Sequence, residues 1–350
     1  MKTQILDTTL RDGSYAIDFQ FTAQDTAVIA KELELAGVDI IEVGHGVGLG
    51  ASEKGFGKAF ETDRDYLAAA GKVLTRAKYG MFCIPGIAEL EDIDMAADMG
   101  AQFIRIGTNA NDISSSEAFI ARAKKHGLFV SANFMKSYVL EAEDFAEKAK
   151  QTQEYGSDVL CVVDSSGGML SSELKSYFEA VQSICDIPLG FHGHNNLGLA
   201  VAHSVQAVEM GAAIVDTSLQ GMGRSAGNAA TELVVAALDR MGIETGVDML
   251  RVMDVGEKYV KPLIRGNGLS SLDMVTGFAQ FHSSYMSTIR KYASKYNIDP
   301  RILIIELCKV DKVDAPEDLV ESIASGISEK TTPPLTSRFD FTAYHGNEQS

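Results

Sequence analysis

The sequence predicts an α/β fold, a (β/α)8 TIM barrel with a C-terminal helical extension, and three observations carry that prediction. Short apolar segments rich in Val, Ile and Phe recur, each followed by an amphipathic helical stretch, which is the pattern of parallel strands with crossover helices. Eight such units can be counted. They occupy about the first 240 residues, close to the length of a (β/α)8 barrel.

The strand candidates are Gln4–Thr8, Asp39–Val43, Tyr79–Cys83, Phe103–Ile106, Phe129–Asn133, Val159–Val163, Leu189–His192 and Ala213–Thr217. An open doubly wound sheet is the competing architecture, and it announces itself with a glycine fingerprint after the first strand. Here that turn reads Leu10-Arg11-Asp12-Gly13-Ser14-Tyr15, which is no such fingerprint. A variant, Gly221-Met222-Gly223-Arg224-Ser225-Ala226, follows the eighth strand candidate and opens no further βαβ unit, so dinucleotide binding is disfavoured. After Gly242 the alternation stops, and helical patterns follow over Val247–Lys261, Ser271–Lys295, Asp299–Cys308 and Glu317–Ala324. The expected organisation is therefore a catalytic barrel over 1–245, a helical extension over 246–327 and a flexible tail over 328–350 that carries Pro333-Pro334 and Gly346-Asn347-Glu348.

Composition narrows the function classes. With 350 residues, 45% of them apolar, the chain can bury a large core, and no stretch approaches the roughly 20 apolar residues of a membrane helix. No secretory signal is visible between Met1 and Thr9, so the cytoplasm is the expected location. A formal net charge of −17 repels polyphosphate backbones, which argues against nucleic acid as a partner. An anionic substrate then needs a local cation, either a metal ion or a well-placed arginine. The cysteines, Cys83, Cys161, Cys185 and Cys308, are widely spaced in mostly apolar segments and are expected as buried, reduced core residues.

Chemistry concentrates at predicted strand ends. His192-Gly193-His194 closes the seventh strand candidate, where alternate residues point the same way and both imidazoles can aim at one ion. Asp12 after strand one supplies an oxygen donor, and Asn228 follows strand eight. In a closed eight-stranded barrel those three strands are contiguous at the C-terminal rim, where such enzymes place their active sites. Mn²⁺ is the favoured ion, because it accepts imidazole as well as carboxylate, with Mg²⁺ or Co²⁺ as alternatives. Arg11 beside Asp12 reads either as a surface ion pair or as a fixed guanidinium that stabilises an enolate oxygen. Asp164-Ser165-Ser166-Gly167-Gly168 reads as a carboxylate-binding loop or as a glycine-requiring turn, and His45 as a pocket donor or a hydrogen-bonded rim residue.

At these residues the chain resembles the metal-dependent pyruvate aldolases of the 4-hydroxy-2-oxovalerate aldolase family, within the TIM-barrel metallolyases related to isopropylmalate synthase and hydroxymethylglutaryl-CoA lyase. The matching elements are Leu10-Arg11-Asp12-Gly13-Ser14, Glu42-Val43 with His45-Gly46, Pro85-Gly86-Ile87, Asp164-Ser165, His192-Gly193-His194-Asn195-Asn196-Leu197, Gly221-Met222-Gly223 with Ala226-Gly227-Asn228-Ala229, and Lys295-Tyr296-Asn297. The resemblance implies that Asp12, His192 and His194 bind the metal, that Arg11 steadies a pyruvate enolate and that Ser165 contacts the substrate carboxylate; His45, from its place after strand two, is the further candidate for substrate contact. It assigns Asn228 a further metal contact, direct or through water. The implied reaction is cleavage of a 4-hydroxy-2-oxo acid to pyruvate and an aldehyde. The implied partner is an acylating aldehyde dehydrogenase docked on the extension, and the implied assembly a homo-oligomer.

The chain departs from the family in one place that bears on proton transfer. The aldolases have a base histidine where this chain has Tyr15, and a tyrosine where it has His282. With ordinary pKa values of about 10 and 6.5, an unperturbed tyrosine is the poorer base at neutral pH, so the expectation is an exchange of roles: His282 as base, Tyr15 as orienting donor. The alternatives are an acyl-CoA-condensing synthase of the isopropylmalate synthase type and a non-catalytic barrel protein.

Overall fold

The apolar runs rich in β-branched residues form parallel strands, and the amphipathic stretches between them form helices, in the computed structural model, which describes residues 3–264 and 270–330. Among these residues the strands are β1 (Gln4–Asp7), β2 (Ile40–Glu42), β3 (Lys78–Cys83), β4 (Phe103–Asn109), β5 (Phe129–Met135), β6 (Val159–Asp164), β7 (Leu189–Gly193) and β8 (Ile214–Thr217). Each pairs with the next, and β1 closes on β8 with Gln4 opposite Ile214 and Asp7 opposite Thr217. The result is the predicted (β/α)8 TIM barrel, with each predicted strand in place. The crossover helices start where the sequence offers caps. Thr22 and Thr62 each accept the backbone N–H three residues on, and Asp25 and Asp65 bond back in capping boxes.

Alternation along the strands separates two environments. Outward residues such as Ile5, Ile41, Phe191 and Val215 pack under the helices, whereas inward residues fill the barrel in layers. Near its N-terminal end the even-numbered strands contribute Ile40, Phe103, Val159 and Ile214, an apolar plug joined by Leu6 of β1. Two residues further along the same strands stand Glu42, Arg105, Cys161 and Asp216. Arg105, the largest side chain buried to below 2% exposure, bonds Glu42 at 3.0 Å, Asp216 at closer range, and the Cys161 sulfur at 3.9 Å. A charge-paired layer thus lies on the apolar plug and forms the floor of the site.

The extension has its own core of Leu272, Phe281, Met286, Ile289, Leu303, Ile304 and Leu307. It docks on the loops after β6 and β7 through two glycines: a Cβ on Gly168 would lie 2.0 Å from the Gly277 carbonyl oxygen, and one on Gly277 would lie 2.9 Å from the Asn196 Cβ. Asn196 adds bonds to the Asp273 carbonyl (3.1 Å) and the Thr276 hydroxyl (2.8 Å).

Three expectations need correction. The single helix expected over Ser271–Lys295 is two, Ser271–Ala279 and Met286–Tyr296, because Gln280 takes a left-handed conformation at φ 57° and caps the first. The break carries His282 over the barrel mouth. In place of one regular helix over Val247–Lys261, an α-helix at Met249–Val255 widens into a π-helical turn at Gly256–Val260. A Cβ on Gly256 would lie 2.0 Å from a Glu232 carboxylate oxygen. The cysteines are all free, as expected, but Cys185 at the end of the helix Ser171–Ile184 is only half-buried. Within the expected flexible tail, residues 331–350 lie outside the described residues.

Candidate active site at the C-terminal rim of the barrel

Asp12 opens a 3-10 turn directly after β1, His192 points inward from β7, and His194 follows that strand in a bridge to Asn228. All three side chains are buried, and one donor atom from each lies within 4.8 Å of the others. Neighbours set the orientation of both imidazoles. His192 Nδ1 lies 2.9 Å from Asp216, whose carboxylate also pairs with Arg105, so the proton sits on Nδ1 and Nε2 is left to a ligand. His194 Nδ1 donates to the Gly227 carbonyl at 3.3 Å, which leaves Nε2 as the acceptor. Burial by itself would raise the Asp12 pKa, but Arg11, His194, His192 and Arg224 hold its carboxyl well below the usual range. Burial, then Arg224, holds His194 neutral by lowering its pKa. Two imidazoles, each with Nε2 turned to the cavity, and one ionised carboxylate form a donor set suited to a divalent ion.

Asn228 supplies an independent sign of fit. Its amide nitrogen donates to Asp12 Oδ1 at 2.9 Å, while its own Oδ1 is buried beside the triad with no hydrogen-bond partner among the described residues. A buried acceptor without a donor is costly, and an ion or its water would satisfy it. Asp216→Asn, which weakens the hold on the His192 tautomer, is expected to lower divalent-metal affinity by roughly 10- to 100-fold. Chelator competition on the purified protein measures this, and unchanged affinity would remove Asp216 from the metal's support.

The triad lies in a cavity of about 240 Å³ at the C-terminal end of the strands. Arg11 is fixed over its floor by Nε to Glu42 (2.7 Å), Nη1 to Asp12 (2.6 Å) and the Phe82 ring beneath its guanidinium at 4.6 Å. Tyr15 lines the same cavity, with its ring edge-on to Phe19. The Ser165 hydroxyl accepts the Lys136 N–H at 2.9 Å, so its own hydrogen can serve a ligand. His282 enters from the extension with Nδ1 2.6 Å from the Ser284 hydroxyl. Desolvation, then Arg224 and Lys136, push its pKa well below the ordinary value, so the ring is neutral.

The cavity therefore brings together Arg11, Asp12, Tyr15, Ser165, His192, His194 and His282 from distant parts of the sequence. His45 is not among its lining residues. Its Nδ1 accepts the Val47 N–H and its Nε2 faces the Gly57 carbonyl, both at 3.1 Å, while its ring stacks on Phe19; no nitrogen is left for a substrate. It is a rim residue that braces the loop after β2.

Sequence reasoning missed Arg105, Asp216, Lys136 and Arg224. Arg105 was detectable as a lone charge within the apolar run Phe103–Ile106, and Asp216 as a charge in Ile214–Thr217. Lys136 and Arg224 follow strands and look like ordinary loop cations, and nothing in their spacing distinguishes them from solvated ones.

The HMGL-like family model matches residues 2–258. The chain is 39% identical over 328 residues to the 4-hydroxy-2-oxovalerate aldolase of Carboxydothermus hydrogenoformans, covering 93% of this chain and 98% of that one. It is likewise 39% identical over 327 residues to the enzyme of that name from Moorella thermoacetica, covering 93% and 97%. The carboxyl transferase domain of Rhizobium etli pyruvate carboxylase, solved with pyruvate, superposes with a TM-score of 0.76 at 16% identity, over 95% of this chain and 61% of that one, a likeness of fold.

Proposed function

This chain belongs to the HMGL-like family and, within it, to the 4-hydroxy-2-oxovalerate aldolases, and on that premise we propose that it is a divalent-metal-dependent lyase that cleaves a 4-hydroxy-2-oxo acid to pyruvate and an aldehyde. The observation that carries the reading is the buried Asp12, His192 and His194 triad with the Arg11 guanidinium fixed beside it in one cavity. Identity along almost the whole chain to aldolases of that name disfavours the synthase, and a non-catalytic barrel has no use for a buried ligand set with its own orienting carboxylate.

Asp12, His192 and His194 would hold the ion, with Asn228 Oδ1 contacting it directly or through water. When bound, the ion supplies Lewis acidity toward the 2-oxo and carboxylate oxygens of the substrate. Two imidazoles in the set favour Mn²⁺ over Mg²⁺. Ser165 donates its hydroxyl hydrogen to the substrate carboxylate. His282 takes the proton of the 4-hydroxyl, on a ring held in place at Nδ1 by the Ser284 hydroxyl at 2.6 Å and the Ser284 backbone N–H at 3.3 Å. The C3–C4 bond then breaks, the aldehyde leaves, the electron pair moves into the enolate, whose oxygen Arg11 stabilises, and return of the proton from His282 to C3 gives pyruvate. Tyr15 acts as a hydrogen-bond donor that orients the hydroxyl. In this division of labour the barrel, residues 1–245, does the binding and the extension, 246–327, completes the site by supplying His282.

His282→Ala is expected to lower kcat for pyruvate release by roughly 10²- to 10⁴-fold, the usual contribution of a general base, and Tyr15→Phe by less. Steady-state rates on 4-hydroxy-2-oxopentanoate decide; an undiminished His282→Ala rate sinks the exchange of roles. A cytoplasmic location, a homo-oligomer and an acylating aldehyde dehydrogenase docked on the extension belong to the same reading. Phe278 and Met274, exposed at 70% and 45% on the helix Ser271–Ala279, support the docking surface. Co-purification that returned this chain alone would count against the partner. Among the described residues no helix is long and apolar enough to cross a membrane.

A further inference from the structure

Arg224 is a buried guanidinium, 8% exposed, whose partners are all neutral: the Ser283 hydroxyl at 2.7 Å, the Ser165 carbonyl at 3.0 Å and His194 Nε2 at 3.2 Å. Lys136, 4% exposed at the end of β5, donates to the Tyr285 hydroxyl (2.8 Å) and the Val313 carbonyl (2.7 Å). Both line the cavity, and neither forms an ion pair with a carboxylate among the described residues. Asp311 and Asp314 act on Lys136 only at longer range. Burial lowers the Lys136 pKa to about 8, Asp314 opposing this and Arg224 adding to it, so each cation makes the other costlier. Burying a charge without a counter-charge is expensive, and such groups persist where a ligand supplies the partner.

The other cations of the cavity are already matched. Arg11 and Arg105 divide Asp12, Glu42 and Asp216 between them. Arg11 follows β1 and Arg105 stands on β4, with Phe82 of β3 packed against both guanidinium groups. The Arg224 and Lys136 side chains stand against the loop after β6 and the extension. A 2-oxo acid with a single carboxylate brings one negative charge, at Ser165, to a wall that holds two cations without a carboxylate partner among the described residues. An ion at His194 Nε2 would also release the Arg224 N–H that now bonds there, which adds a donor aimed into the cavity.

We propose that Arg224 and Lys136 form a second anion-binding subsite and that the substrate is a dianion, a 4-hydroxy-2-oxo acid whose aldehyde half carries its own carboxylate. This rests on the aldolase reading and narrows it. Cleavage of such a substrate yields pyruvate and an oxo acid, with the second carboxylate kept on the departing fragment. The planar guanidinium fork suits a carboxylate, and the ammonium adds a point charge beside it.

The test separates binding from cleavage. Calorimetry on the Mn²⁺-loaded protein compares two non-cleavable probes, 2-oxopentanoate and 2-oxopentanedioate, which differ only in the second carboxylate. The dianion should bind roughly 10- to 100-fold tighter than the monoanion, the range of a charge-assisted contact in a buried site. Arg224→Gln should reduce that ratio toward one, Lys136→Met should lower it in part, and Arg224→Lys should restore some of it. A merely structural role for Arg224 would change melting temperature without changing the ratio. Equal affinities in the wild-type protein, or an Arg224→Gln variant that weakens both probes equally, would overturn the subsite and return Arg224 to the shared carboxylate. In parallel, pyruvate release is followed from 4-hydroxy-2-oxopentanoate and 4-hydroxy-2-oxopentanedioate. Faster release from the dianion supports the subsite, and equal or slower release contradicts it. No pyruvate from either, with the binding ratio intact, sinks the aldolase reading and leaves the subsite standing.

Discussion

Asp12→Asn is expected to empty the metal site and to lower kcat/KM for pyruvate release by roughly 10³-fold or more, since the ion supplies several kcal/mol of charge stabilisation. The substitution keeps the shape of the side chain and removes its charge. Asp12 is the single carboxylate of the triad, so without it the ion would face two imidazoles and no anionic ligand in a pocket that also holds Arg11 and Arg224. Those arginines lower the Asp12 pKa, and they would repel a cation once the carboxylate is gone. Metal content after dialysis, measured by elemental analysis beside the steady-state rate, checks both halves. A variant that retained stoichiometric metal and a near-normal rate would show that Asp12 is no ligand.

Arg11→Lys is expected to lower kcat by roughly 10²- to 10³-fold, the cost of losing one preorganised donor to a developing oxyanion, while metal content stays close to that of the wild-type protein. A lysine keeps the charge and cannot keep the geometry. The guanidinium binds Glu42 through Nε and Asp12 through Nη1 while lying on Phe82, which holds Nη2 in a fixed direction. An ammonium on a flexible stem would bond one of those carboxylates and leave the enolate oxygen without an aligned donor. Rate and metal content together separate this from the Asp12 effect. A fall of less than about threefold in kcat would place Arg11 among the structural ion pairs of the barrel floor.

The two arginines of that floor differ in what they do. Arg105 spends its bonds on Glu42, Asp216 and Cys161, and through Asp216 it sets the direction of His192. Arg11 shares Glu42 with it and turns the rest of its guanidinium to the cavity. A layer of charges that would be costly alone is compensated internally, and it presents oriented groups upward.

Much of this was legible in the sequence, for a physical reason. Strand and helix follow from the period of apolar residues, and the barrel from the number of βα units, so Asp12, His192, His194 and Asn228 could be assigned to the rim from their places at strand ends. Ligand residues carry a strong local signal because few side-chain types bind a divalent ion. Tertiary structure alone decided what neighbours each group acquires. It turned His45 away by occupying both its nitrogens, and it broke the expected helix at Gln280 so that His282 reaches the cavity. It also set Arg224 and Lys136 together in a buried wall. Those outcomes depend on burial and on contacts between residues far apart in the chain, and a cation in a loop reads the same in sequence whether water or a substrate carboxylate is its partner.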